Sequence, residues 1–305
     1  MKLTFLGTGA GMPAKERNVS ALVLDLLQEI NEMWLFDCGE ATQHQILYTS
    51  IKPRKINKVF ISHLHGDHIF GLPGFLSSRS FLGGDSPLTV YGPKGIKDFI
   101  KISLQTSHTH IKYPLSIVEL DEGVIYEDEH FIVEAMHVDH NVECFAYKVI
   151  EKDKLGELQV NKLRQLGVKP GPIYKAIKEN AQTTLEDGSI IYRDDVIGPS
   201  KKGKVLAIFG DTRYDDSHIN FIKDSDILVH EATFNKESQE LAYEYYHSTT
   251  EEVANLAKQA NVKTLIITHI SSRYQDEAAH SLLEEVREVF PNSYIANDFY
   301  EFDIK

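Results

Sequence analysis

The sequence predicts a layered α/β protein. Short apolar runs rich in β-branched and aromatic residues recur along its 305 residues, helical patterns separate several of them, and Gly, Asp, His or Ser clusters close most runs. The strand-length runs are Leu3–Leu6, Ala21–Leu26, Trp34–Phe36, Val59–Ile61, Leu88–Tyr91, Phe131–Val133, Val205–Phe209, Ile227–Val229 and Leu265–Thr268. Helices are expected over Gly95–Thr106, Thr249–Ala260 and Ala278–Val289. The second opens on a Ser/Thr-Thr-Glu-Glu cap: a hydroxyl accepts an orphan amide, and Glu251 and Glu252 favour the positive helix end.

Composition narrows the function. With 42% hydrophobic and 25% charged residues the chain is of globular type, which excludes a disordered tail, a collagen-like repeat and a disulfide scaffold. No apolar run approaches the roughly 18 to 20 residues that a bilayer demands, so no membrane partner is expected. The apolar stretch at the start is too short for a secretory leader, and Cys38 and Cys144 lie far apart; both point to a reducing, cytoplasmic setting.

A net charge of −13 argues against generic polyanion affinity. The charge is nevertheless sorted. Residues 152–178 hold seven basic and two acidic side chains, a local charge of +5, and Lys52, Arg54, Lys55 and Lys58 form a second basic island. Sorted charge suits a polyanion held at particular places, although solvated loop surface is the plainer reading of any Lys-rich segment. From 151 to about 203 the apolar periodicity weakens, and Pro170-Gly171-Pro172 punctuates the chain. This segment reads as an arm inserted into one domain spanning 1–305, with too few large apolar residues for a core of its own.

The strongest chemical signal is His63-Leu64-His65-Gly66-Asp67-His68, directly after a strand. In an extended segment His63 and His65 share a side, and Gly66 permits a turn that returns Asp67 and His68 to the same space. Three imidazoles and a carboxylate are expensive to bury without a partner, and a divalent metal such as zinc is the natural one. Further ligands are expected where other strands stop: His140, Asp211 and His269. His137 is the weaker neighbour, because it lies inside a strand-like run. With Asp211 bridging, seven side chains supply the roughly eight contacts of two four-coordinate ions. Such a pair lowers the pKa of a shared water toward about 7 and neutralises developing oxyanion charge, which implies a hydrolase without naming its substrate. Asp37, after Trp34-Leu35-Phe36, is placed to orient a histidine. Gly7-Thr8-Gly9-Ala10-Gly11 lacks the third glycine of a dinucleotide fingerprint and reads as a tight turn or as backbone close to substrate. Ser248 beside His247 has no nucleophile elbow, so a serine hydrolase is not expected.

These ligands resemble those of the metallo-β-lactamase superfamily. The run from Ser62 to Gly74, with Pro13-Ala14-Lys15-Glu16-Arg17-Asn18, His230-Glu231-Ala232-Thr233 and His247-Ser248-Thr249, resembles the short-form ribonuclease Z family, which trims tRNA 3′ trailers. Lys169-Pro170-Gly171-Pro172 resembles the tip of that family's flexible arm, and the likeness runs from Leu3 to about Tyr274. The resemblance implies a four-layered αβ/βα sandwich with two zinc ions per subunit, manganese being the other metal that fits. One ion would be held by His63, His65, His140 and Asp211, the other by Asp67, His68, His269 and shared Asp211. It further implies Asp67 as the base that orients or deprotonates water, and His247 backed by Glu231 as the proton relay to the departing 3′ oxygen. Pre-tRNA is the implied partner, bound by a homodimer in which one subunit's arm grips the tRNA presented to the other. Lys15, Arg17 and Asn18 would lie near the acceptor end, with Arg273 as a phosphate contact. The competing reading is a small-molecule metallohydrolase of the same fold (a phosphodiesterase, a lactonase or an arylsulfatase-like enzyme), which would need no basic arm.

Overall fold

The computed structural model describes residues 1–274 and 277–304. Six strands come first: β1 (Lys2–Gly7), β2 (Ala21–Leu26), β3 (Glu32–Phe36), β4 (Ile56–Phe60), β5 (Leu88–Gly92) and β6 (Leu115–Glu119). Next are β7 (Gly123–Glu127), β8 (Phe131–Val138) and β9 (Cys144–Glu151), then a separate hairpin of β10 (Gln182–Thr184) and β11 (Ile190–Tyr192). The last are β12 (Val205–Phe209), β13 (Ile227–Glu231), β14 (Thr264–Thr268), β15 (Ser293–Ile295) and β16 (Glu301–Asp303). One sheet runs β16-β1-β2-β3-β4-β5-β6 and the other β15-β14-β13-β12-β9-β8-β7. Pairing is parallel from β3 to β6 and from β12 to β15.

Strand alternation builds the layers. In β2 and β3, Leu22, Leu24, Leu26, Trp34 and Phe36 face inward, where they meet Phe131, Phe145, Ile208 and Val229 of the second sheet. Ala21, Val23, Met33 and Leu35 face outward, against Leu72, Phe75 and Leu76 of helix Leu72–Phe81 and Ile96 and Ile100 of helix Ile96–Thr106. On the other side Leu228, Leu265 and Ile267 pack under Val253, Ala254 and Leu256 of helix Thr250–Gln259 and Leu282 and Val286 of helix Glu277–Val289. The result is an αβ/βα sandwich of four layers. Among the described residues no helix is long and apolar enough to cross a membrane.

All nine expected strands form, and the expected cap is a reciprocal capping box between Thr249 and Glu252. The sequence reading missed β6 and β7, whose half-exposed positions carry little apolar pattern. It also missed β9, and the helix Leu72–Phe81, where Pro73 occupies the first turn and reads locally as a break.

The chain divides into two compact units, Met1–Val149 with Val205–Lys305, and Ile150–Lys204. The second contains helices Val160–Gln165, Pro172–Glu179 and Arg193–Val196 beside the β10–β11 hairpin. Contrary to the expectation of no core, Leu163, Val168, Ile177, Ile191 and Val196 are buried together. Its charge is also weaker than the 152–178 window implied. Glu151 and Glu179 lie just outside that window and pair with Lys154 and Lys175. Over 150–204, eleven basic side chains meet eight acidic ones, a net of +3.

Candidate metal centre

Strand ends gather the site. Asp37 follows β3 and Ser62-His63 follow β4 in the first sheet; His140 follows β8, Asp211 follows β12, and His269 follows β14 in the second. Asp37 and His269 adopt left-handed backbone, φ 53° and 56°, which turns each side chain back over its strand end. Gly210 allows a close approach: a Cβ there would stand 2.6 Å from the Ser62 Cβ and 2.7 Å from the Cys144 Sγ. Gly66 does not make the turn first expected of it. It begins the one-turn helix Gly66–Ile69 without a positive φ, and a Cβ on it would lie 2.2 Å from the Phe70 ring.

Among the described residues three groups place ligand atoms within 4.8 Å of one another, and two are the expected sets: His63, His65 and His140, and Asp67, His68, Asp211 and His269; the third joins Glu231 and His247 to His269. In the first, His65 Nδ1 lies 3.0 Å from His63 Nε2 and 3.2 Å from His140 Nε2. In the second, Asp211 Oδ2 lies 3.5 Å from His68 Nε2 and 3.3 Å from His269 Nε2, while Asp67 Oδ2 lies 3.4 Å from each. Asp211 Oδ2 is also 3.7 Å from His63 Nε2, so this carboxylate stands between the sets.

Hydrogen bonds behind the imidazoles set which nitrogen faces the centre. Asp37 accepts from Ser62 N at 2.7 Å and from His68 Nδ1 at 2.8 Å, which fixes the His68 ring. His140 donates Nδ1–H to the Tyr246 carbonyl at 3.1 Å. Thr233 donates its hydroxyl to Glu231, so its oxygen accepts from His269 Nδ1 at 2.9 Å. Asp67 Oδ2 accepts from the Gly11 amide at 2.9 Å. Thr233, Tyr246 and Gly11 were not assigned these roles from sequence. Only the motif containing Thr233 offered a signal, since the other two act through backbone atoms.

The donor set fits a cation. His68 Nε2 is buried and has no hydrogen-bond partner among the described residues, although two carboxylates lie beside it. Three imidazole nitrogens converge at His65, where a single shared proton cannot satisfy all of them. Burial lowers the pKa of His63, His65 and His140 and keeps them in the neutral form that ligates. Burial would also raise Asp211, but His269 and His68 outweigh it and hold the carboxyl well below its usual range. Burial opposes charge on His68, but Asp211 and Asp37 outweigh it and raise its pKa well above the usual value, so a cation there would take the place of its proton. Imidazoles with ionised carboxylates are borderline nitrogen and oxygen donors of the kind divalent transition metals take.

Several known proteins are similar to this chain along their full length. A ribonuclease Z from Oceanobacillus iheyensis is 58% identical over 306 residues, covering 100% of both chains, and one from Bacillus cereus is 56% identical over 306 residues with the same coverage. The chain belongs to the ribonuclease Z family. The crystal structure of human tRNase Z, short form, matches with a TM-score of 0.72 at 30% identity and 100% coverage of each chain. The metallo-β-lactamase fold protein YhfI from Bacillus subtilis shares the fold, with a TM-score of 0.68 at 20% identity over 99% of this chain and 98% of its own. Residues 1–151 also match the family of Anti-Pycsar protein Apyc1.

In this ribonuclease Z family member, His247 and Glu231 stand beside the candidate ligand sets, with His269 within reach of both. Glu231 is the last residue of β13, is buried, and contacts His247 Nδ1 at 3.1 Å. Burial opposes charge on His247, but the Glu231 carboxylate outweighs it and raises the pKa to about 9. Ser248 is buried and donates to the Thr212 carbonyl, which leaves it no nucleophilic part. His137 is exposed and packs on Phe145, away from the ligand sets.

The residues expected to meet substrate separate. Lys15 is exposed on a cleft of about 520 Å³. Arg17 is not available as expected: it is buried, and its guanidinium donates to Thr8 Oγ1, the Ala296 carbonyl and Asn297 Oδ1. It ties the Gly7–Gly11 loop to the chain near its C-terminus rather than reaching for phosphate. Asn18 is likewise held, by the Glu40 carbonyl and Asp298. Arg273 is exposed above the Phe234 ring at 5.9 Å. In the 150–204 unit, Lys169, Pro170, Gly171 and Pro172 are all exposed, with Pro172 opening a helix.

Proposed function

We propose that this protein is a metal-dependent endoribonuclease that removes 3′ trailers from tRNA precursors, leaving a 3′ hydroxyl on the tRNA and a 5′ phosphate on the trailer. The observation that carries the reading is the pair of ligand sets meeting at Asp211, with the Glu231–His247 pair alongside, in a chain 58% identical to a ribonuclease Z. His63, His65 and His140 would hold one divalent ion and Asp67, His68 and His269 a second, Asp211 being shared; zinc suits these donors, and manganese is the alternative. When bound, such ions supply water activation at neutral pH and neutralise charge growing on the phosphate.

The side chains supply the rest. Asp67, braced by the Gly11 amide, would orient the attacking water as an ionised hydrogen-bond acceptor. His247, kept protonated by Glu231, delivers a proton to the 3′ oxygen as its bond to phosphorus breaks. Exposed Lys169 and its Pro-Gly-Pro neighbours support an arm that grips folded RNA by shape, in a homodimer where each arm serves the other subunit's site. The free, buried Cys38 and Cys144 support a reducing, cytoplasmic setting. Incubation with an end-labelled pre-tRNA tests the function. A single cut at the base of the acceptor stem, leaving a 3′ hydroxyl, is expected; an uncut precursor beside active hydrolysis of a small phosphodiester favours the small-molecule reading instead.

A further inference from the structure

We infer that the Phe70 ring is a stacking platform for the nucleobase directly flanking the scissile phosphate, an inference that rests on the RNA-cleaving reading above. A cleft of about 350 Å³ opens beside Asp67, with Gly11, Met12, Glu40, Gly66 and Phe70 among its walls. Phe70 is 65% exposed and Met12 62%, so two apolar side chains face water next to the carboxylate that orients the nucleophile. A lone exposed apolar residue is ordinary. This one is built in place.

The Phe70 amide donates to the Gly66 carbonyl at 2.9 Å, and the next amide, Gly71, donates to the Cys38 carbonyl at 3.0 Å. The ring rests against Gly66 so closely that a Cβ there would meet Cε2 at 2.2 Å and Cζ at 2.6 Å. With no side chain at Gly66, the ring lies directly against the backbone of the turn that carries the candidate ligands. Phe70 belongs to none of the buried apolar clusters of the described residues, so the seating serves no core.

The walls also select the occupant. Glu40 and Asp67 line the cleft and no Lys or Arg does, which disfavours a phosphate and suits an uncharged planar group with amino edges. Lys15 lines the other, larger cleft. In a substrate whose scissile phosphate lies at the ligand sets, the group one bond away from that phosphate is a nucleotide, and every base offers a face to an aromatic ring.

The test measures kcat/KM on a pre-tRNA and on versions abasic at the nucleotide before or after the cut, for wild type, Phe70→Ala and Phe70→Trp. Phe70→Ala should lose about 10- to 100-fold on the intact precursor with unchanged metal content, and Phe70→Trp should restore most of it. One abasic precursor should lose the same factor with wild type and nothing further with Phe70→Ala, the signature of a shared interaction. Phe70→Ala cleaving the intact precursor like wild type, or losing equally on both abasic precursors, overturns the platform alone. Wild type that leaves every precursor intact overturns the RNA-cleaving reading, and this inference with it.

Discussion

His247 concentrates the acid–base chemistry in one contact. Glu231 is anchored by the amides of Thr212, Ser248 and Thr233 and by the Thr233 hydroxyl, so its carboxylate cannot swing away from the imidazole. The pair holds the His247 pKa at about 9 against 6.5 for the free side chain. Its stabilising contribution is therefore complete below pH 6.5 and is lost as pH rises through about 9. Cleavage that uses the protonated imidazole should fall over the same alkaline range. In Glu231→Gln the alkaline limb should move to lower pH, read from single-turnover rates. His247→Ala should retain its metal while slowing cleavage roughly 100-fold; an unchanged single-turnover rate would remove His247 from the mechanism. The candidate metal ligands were legible because imidazoles and carboxylates clustered after strands announce themselves by residue type, whereas the parts given to His247 and Glu231 came only from the family resemblance. The Tyr246 carbonyl and the Gly11 amide could not be read, since any residue supplies those atoms. Arg17 misled for the opposite reason: a guanidinium reads as a phosphate contact until its burial is known.

At the scale of elements, central strands were legible except for β9, and the edge strands β6 and β7 were not. β4, β12 and β14 are short buried runs ending in polar ligands, whereas β6 and β7 lie at sheet edges where no position is fully buried and the apolar residues do not alternate cleanly with polar ones. The 150–204 unit shows the same limit. Its five buried apolar residues are scattered between turns, so their small cluster has no linear pattern. Lys154 and Lys201 exchange backbone hydrogen bonds of 2.9 Å in both directions, so the base of the unit can survive removal of what lies beyond it. Deleting 155–195 should therefore abolish pre-tRNA cleavage while hydrolysis of bis(p-nitrophenyl) phosphate persists. Equal tRNA cleavage with and without the segment contradicts its part in gripping RNA.

For the whole molecule, the decisive feature is that neither sheet carries the centre alone. The first supplies His63, His65, Asp67 and His68, and the second supplies His140, Asp211 and His269. The four-layered sandwich brings these strand ends together, which is why a motif of six residues needed partners more than 200 positions away, as in the 202-residue separation of Asp67 and His269. Metal binding should thus couple both halves of the sandwich, and chelation should lower thermal stability as well as activity. The most direct test counts bound transition ions in purified, active protein by elemental analysis, alongside His65→Ala. The account predicts about two ions per chain, with His65→Ala losing metal and cleavage together; full activity in protein with far less than one ion per chain would contradict it.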